Sequence, residues 1–119
     1  MNYFLVFLGG GLGSVTRYAI GLFSKNYLPG NFPYATFLSN ALSSFILGLL
    51  LNYLLLKSGS EQHRLLIAVG FCGGFSTFST FTYETFELLK AGNYMVAAAS
   101  IFFNLLVCLL LFITGYKLI

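Results

Sequence analysis

Between Gly70 and Glu84 the chain reads Gly-Phe-Cys-Gly-Gly-Phe-Ser-Thr-Phe-Ser-Thr-Phe-Thr-Tyr-Glu, in which Gly70, Gly73 and Gly74 precede the hydroxyl residues Ser76, Thr77, Ser79, Thr80 and Thr82. The stretch lies inside an apolar run, where polar groups must find a partner or water. Non-helical backbone is tolerated at membrane depth only where protein buries it or a water-filled cavity touches it, and carbonyls freed at a helix break commonly hold ions. Phe75, Phe78 and Phe81 recur every third residue, so their rings share one slowly rotating face, interleaved with the hydroxyls. Aromatic ring edges carry positive quadrupole charge. Hydroxyls beside ring edges can therefore replace the water around a small anion without a fixed cation that would trap it. The same residues also suit plain packing, since small side chains let helix backbones approach and Ser or Thr can bond back to a carbonyl one turn earlier.

The elements that must position this stretch are membrane helices. The chain has 119 residues, 58% of them hydrophobic and only 8% charged, whereas soluble domains are about a quarter charged. Apolar runs cover Tyr3 to Phe23, Tyr34 to Leu56, Leu65 to Leu89 and Tyr94 to Tyr116, each long enough for a hydrocarbon core that takes about 20 helical residues. The expected architecture is all-α, a single domain over 1–119 with four transmembrane helices. Tyr3, Tyr18, Tyr34, Tyr53, Tyr94 and Tyr116 fall near span ends as an aromatic belt. The first segment lacks a basic leader and a small-residue cleavage site, so it reads as a span. Cys72 and Cys108 fall mid-span, where a thiol behaves as a small apolar group.

Each span carries its own polar or small-residue pattern. Gly9, Gly13, Arg17 and Gly21 follow a spacing of four in the first, which places them on one face that packs against protein. Arg17 can snorkel to the headgroups or stand in an aqueous vestibule that attracts anions. The connector Ser24 to Pro33 is dense in turn residues, including Pro29 and Gly30. In the second span Thr36, Asn40, Ser43 and Ser44 form one stripe. Asn40 can be an interhelical hydrogen bond or an uncharged donor for a passing anion. The loop Lys57 to Arg64 is polar, and His63 within it reads as a solvated residue. Glu87 and Lys90 have the spacing of a surface ion pair. Glu84 lies one turn past Thr80, close to the same stretch, and a carboxylate there suits an anion path only at its mouth. Ser100, Asn104 and Cys108 make a stripe on the fourth span.

The run Gly70 to Phe81 with Glu84 resembles the third-helix signature of the small bacterial fluoride channels, the Fluc/CrcB family. Gly10, Gly13, Arg17 and Tyr18 in the first span match that family's pattern, as do Thr36, Asn40, Ser44, Phe45 and Gly48 in the second. The resemblance covers nearly the whole chain. It implies a fluoride-selective channel giving passive export across the bacterial plasma membrane and lowering cytoplasmic fluoride. The third helix would be broken mid-membrane, and the chain would work as an antiparallel, dual-topology homodimer. Asn40, Phe78, Ser79, Thr80 and Phe81 would line the pore, with Arg17 and Glu84 in its vestibule and Ser100 and Asn104 completing its wall. A structural sodium ion at the dimer centre would be held by the backbone carbonyls of Gly73 and Ser76. The chain departs from the family pattern at Ala35 and Ser43, where glycine is favoured, and at Ser100 and Asn104, where tyrosine and serine are usual.

Other functions lack their parts. There is no acid–base pair at depth, no Ser-His or Cys-His couple, and the Gly9-Gly10-Gly11-x-Gly13 run lacks the strand and lysine of a nucleotide loop. The net charge of +3 comes from scattered residues, too sparse for a nucleic-acid surface. A proton-coupled exporter of the small multidrug type also has four short spans, but it works through a carboxylate in its first span, and this first span has no Asp or Glu. With four spans, Lys57, Arg64 and Lys117 fall on one side and Arg17, Lys25 and Lys90 on the other. Orientation follows the Lys and Arg bias of short loops, so this tie predicts insertion both ways.

Overall fold

The computed structural model describes residues 1–28, 30–56 and 60–118. Pro29 and 57–59, which the sequence places in the two polar connectors, lie outside the described residues, as does Ile119. Helix α1 is Asn2–Tyr27 and α2 is Tyr34–Leu56. Helix α3 covers 61–75: a first turn at Glu61–His63, a π-wound stretch at Arg64–Cys72 and a last turn at Gly73–Phe75. Ser76 and Thr77 are extended, with φ −84°, ψ 157° and φ −153°, ψ 126°. Helix α4 then runs Phe78–Lys90 and α5 runs Tyr94–Leu118. The stretches Asn2–Tyr27, Tyr34–Leu54, Glu61–Lys90 and Tyr94–Leu118 are long and apolar enough to cross a membrane.

Helix ends follow local chemistry. The first helix continues four residues beyond the apolar run, through Lys25 and Asn26, and stops at Leu28, whose position before a proline disfavours helical backbone. Ser60 caps α3 by accepting from the His63 N–H at 3.2 Å. Helix α4 ends in a Schellman turn: the Asn93 N–H reaches the Leu88 carbonyl at 2.8 Å, and the Gly92 N–H reaches Leu89 at 3.1 Å. Gly92 sits at φ 84°, a conformation that any Cβ would strain. The π-winding of α3 was not legible in the composition, and it widens the helix where α1 lies against it.

The helices pack chiefly as two pairs, α1 on α3 and α2 on α5, with α2 also touching α1 and α3. Both pairs close backbone to backbone. A Cβ at Gly9 would land on the Leu66 carbonyl oxygen, and one at Gly13 on that of Phe71. On the other seam, a Cβ at Gly48 would strike the Phe112 carbonyl oxygen and one at Gly115 that of Phe45. The four-residue pattern on α1 therefore packs against protein at Gly9 and Gly13, but Gly21 faces open space.

The interior is built of small and polar residues. Ser24, Thr36, Ser39, Ser43, Asn52, Ser100 and Asn104 are buried, alongside Ala41, Cys72, Phe75 and Ala97, while many of the large aliphatic and aromatic side chains face outward. This inverts the pattern of a water-soluble protein and suits a lipid exterior, where association depends on close packing and hydrogen bonds. Asn52 shows the second device: its amide donates to the Tyr116 carbonyl and ties α2 to the last turn of α5.

Candidate pore and its support

The interruption at Ser76–Thr77 exposes backbone groups, and each of several side chains answers one of them. The Cys72 carbonyl accepts from the Ser76 N–H at 3.0 Å, from Ser76 Oγ at 2.8 Å and from Ser43 Oγ at 3.1 Å. Asn40 pairs with Thr77 in both directions: its Oδ1 accepts the Thr77 N–H at 2.9 Å, and its Nδ2 approaches the Thr77 carbonyl at 3.4 Å. Thr77 Oγ1 caps α4 by accepting the Thr80 N–H at 3.1 Å. Arg17 Nε donates to the Gly74 carbonyl at 3.2 Å.

The carbonyls from Gly73 to Ser76 lose their helical donors in this arrangement, those of Gly73 and Ser76 as follows. In an unbroken helix the Thr77 N–H would close onto Gly73 and the Thr80 N–H onto Ser76. Here Asn40 takes the first and Thr77 Oγ1 the second. Gly73 is also exposed, with nothing within 4 Å of where its Cβ would be.

Beside the interruption lies a cleft of 290 Å³ whose wall includes Asn40, Thr77, Phe78, Phe81 and Asn104, with Ser44 and Cys108 completing one flank. The Phe78 and Phe81 ring centroids are 5.7 Å apart and the rings are tilted by 48°. Asn40 Nδ2 stands 3.4 Å from Asn104 Oδ1 as well as from Thr77. Both distances are long for an N–H···O bond, so this NH2 is weakly held and remains a donor to the cleft. Asn104 is itself oriented by donation to the Ser100 carbonyl at 2.8 Å. A second cleft, of 370 Å³, is lined by Ser14, Arg17, Thr36, Thr80 and Glu84 among others. Among the described residues the ion pairs are Arg64–Glu61 and Lys90–Glu87, so Arg17 and Glu84 share this cleft without pairing.

The match to known proteins is extensive. The family model described as CrcB-like protein, Camphor Resistance (CrcB), matches residues 4–116. The chain belongs to the CrcB family. The Fluoride-specific ion channel FluC of Thermus thermophilus is 45% identical over 117 residues, covering 98% of this chain and 92% of that protein. The Fluoride-specific ion channel FluC of Pyrococcus furiosus is 45% identical over 117 residues, covering 96% and 92%. That of Shewanella oneidensis is 37% identical over 118 residues, covering 99% and 95%.

The residues singled out from the sequence do not all meet in one place in this CrcB chain. Asn40, Phe78, Phe81 and Asn104 meet in the first cleft. Thr80 turns instead into the second, with Arg17 and Glu84, because one residue of helix rotates a side chain by about 100°. Ser79 is exposed, its hydroxyl 3.3 Å from Thr77 Oγ1. Ser100 is fully buried and does not reach the cleft wall; its carbonyl supports the longer Asn104 side chain, which does. Ser44 and Cys108 also line this CrcB cleft. The signal for them was present in the sequence, since each lies four residues beyond a cleft asparagine and extends its stripe by one turn. His63 is exposed, as expected, but it lies in the first turn of α3 and not in a loop, because Ser60 caps the helix there; its ring meets Tyr53 edge-on at 6.2 Å.

Proposed function

We propose that this chain is a fluoride-selective channel that exports fluoride passively across the plasma membrane. The observation that carries the reading is the convergence of Asn40, Asn104, Phe78 and Phe81 on one cleft beside the Ser76–Thr77 interruption. The names of the relatives point the same way. Fluoride has to shed water to enter a narrow passage. Amide N–H groups and ring edges replace that water, and neither binds tightly enough to hold the ion in place. No bond is made or broken. The test is fluoride efflux from liposomes containing this chain alone: release at a rate no faster than protein-free vesicles would end the proposal.

The interruption between α3 and α4 is, in this reading, a mid-membrane break of the third span, and the working unit is an antiparallel homodimer. Support comes from α4, which has few neighbours beyond α5 and carries Phe78 at 76% exposure, so a second copy is needed to enclose the cleft. With Arg17 held inside its span by Gly74, Lys57, Arg64 and Lys117 stand against Lys25 and Lys90, a near-balance that favours insertion in both orientations. Adding two lysines to the connector between α1 and α2 is expected to lock one orientation and abolish efflux when that variant is expressed alone. Co-expression with an oppositely biased copy restores it. Accessibility labelling that finds all wild-type termini on one face would exclude dual topology and call for a different partner chain.

A structural sodium ion fits the same break. The Gly73 and Ser76 carbonyls, without their helical donors, are hard oxygen ligands of the type that holds such ions, and two-fold symmetry would supply four of them. The ion would fix the break and take no part in permeation. Prolonged exchange of sodium for a large organic cation is expected to lower efflux slowly, over the time of ion loss. Efflux that stays constant throughout that exchange argues against the site.

A further inference from the structure

Arg17 stands well inside α1, ten residues before its end at Tyr27, a distance of about 15 Å along the helix. Its side chain does not run toward that end. The Nε donates to the carbonyl of Gly74, in the last turn of α3 before the Ser76–Thr77 interruption. The backbone around this contact leaves little slack. A Cβ at Gly74 would strike the Gly10 carbonyl oxygen, and one at Gly13 would strike that of Phe71. Helix α1 thus lies directly on the segment leading into the interruption, and Arg17, one turn beyond Gly13, reaches across to bond it.

We propose that Arg17 acts as a positioning residue for the break, through its Nε–H, and not chiefly as a positive charge that draws anions into the vestibule. The proposal rests on the channel reading above. Asn40 holds the interruption from the α2 side by pairing with Thr77; Arg17 holds it from the α1 side at Gly74. Between these two anchors lie Phe75 and Ser76, so the pair fixes where the chain leaves α3 and where α4 begins. Phe78 and Phe81 are carried on the first turn of α4, and their place in the cleft follows from those anchors. A guanidinium bond to a carbonyl is charge-assisted and directional, which suits it to the purpose.

Side-chain geometry offers a clean separation of donor from charge. Glutamine places its Nε2 the same number of bonds from Cα as arginine places Nε, so Arg17→Gln keeps a donor at that position and removes the charge. Lysine puts a methylene there and its ammonium one bond further out, so Arg17→Lys keeps the charge but takes the donor away from that position; Arg17→Met removes both. The variants are made in the full-length chain and compared with wild type for fluoride efflux at low and high ionic strength. Amide hydrogen exchange over 73–77 is measured on the same preparations. The expected order is a loss below about threefold in efflux for Arg17→Gln, against about tenfold or more for Arg17→Lys and Arg17→Met, the scale of one hydrogen bond to a charged group. Exchange over 73–77 should quicken by a similar factor in the lysine and methionine variants and remain near wild type in the glutamine variant. A field that attracts anions is screened by salt, so a charge role predicts the opposite order and a salt dependence that Arg17→Gln abolishes. That opposite order, or equal efflux and equal exchange in all three variants, overturns the proposal. Hydrogen exchange reads the break whether or not the chain carries fluoride, so it separates failure of this inference from failure of the channel reading.

Discussion

Replacing Asn40 with alanine should reduce fluoride efflux by about a hundredfold or more, because the one side chain serves both the frame and the ion. On the frame side, alanine leaves the Thr77 N–H without its acceptor at 2.9 Å and removes a weak contact to the Thr77 carbonyl. An unpaired part-buried backbone N–H costs about 1–3 kcal/mol, enough to let the segment between α3 and α4 shift. On the ion side, the substitution deletes the NH2 held at 3.4 Å from both Thr77 and Asn104, the donor best placed to reach an anion in the cleft. Chloride should remain excluded, since the glycine contacts that hold the helix pairs are untouched. Efflux from liposomes reconstituted with Asn40→Ala, run beside a chloride efflux control, checks both halves. Wild-type fluoride rates would show that neither contact matters to conduction.

The second large effect concerns the rings. Phe78→Ile or Phe81→Ile is expected to lower fluoride efflux by about tenfold each, about 1.4 kcal/mol, the upper end of an aromatic edge interaction. Both rings line the same cleft and lie 5.7 Å apart. Isoleucine fills most of the space but has no ring quadrupole, so the change is electrostatic more than steric. Assembly should survive: isoleucine keeps most of the apolar bulk that Phe78 and Phe81 present, and neither ring belongs to a glycine seam. Size-exclusion profiles equal to wild type, together with lost efflux, are the expected pair of results. Normal efflux in both single variants removes ring edges from the mechanism.

Much of the fold could be read from hydropathy alone. The run Tyr34 to Leu56 coincides with α2, and Tyr94 to Tyr116 falls short of α5 by only two residues. The third span was harder, because π-winding over Arg64–Cys72 changes how residues face without changing which residues are apolar. An apolar run carries no mark of whether its carbonyls bond four or five residues on. The site was legible as a set of polar stripes, and Asn40 and Asn104 were visible as outliers on Leu-rich helices. Their approach to one another was not, since it depends on how α2 and α5 settle around Gly48 and Gly115. Ser79 and Thr80 illustrate the remaining difficulty: they are neighbours of Phe78 and Phe81 in the motif, but α4 turns them away from the cleft those rings line. Proximity in a helix sequence is not proximity on a helix surface.

The glycine seams have a consequence for discrimination by size. Where helices meet through long side chains, a passage can breathe, because rotamers give way by an ångström at little cost. At Gly9, Gly13, Gly48 and Gly115 the closest neighbours are backbone atoms of the facing helix, which have no rotamers to change. Main-chain contact also sits at the bottom of a steep repulsive wall on one side and loses attraction quickly on the other, so the spacing of each pair is tightly defined. The wall that α2 and α5 give the cleft, carried by such a pair, has a nearly fixed spacing. In the channel reading, rejecting a larger halide needs no gate and no dedicated filter charge on that side; it follows from a wall that cannot move back to admit one.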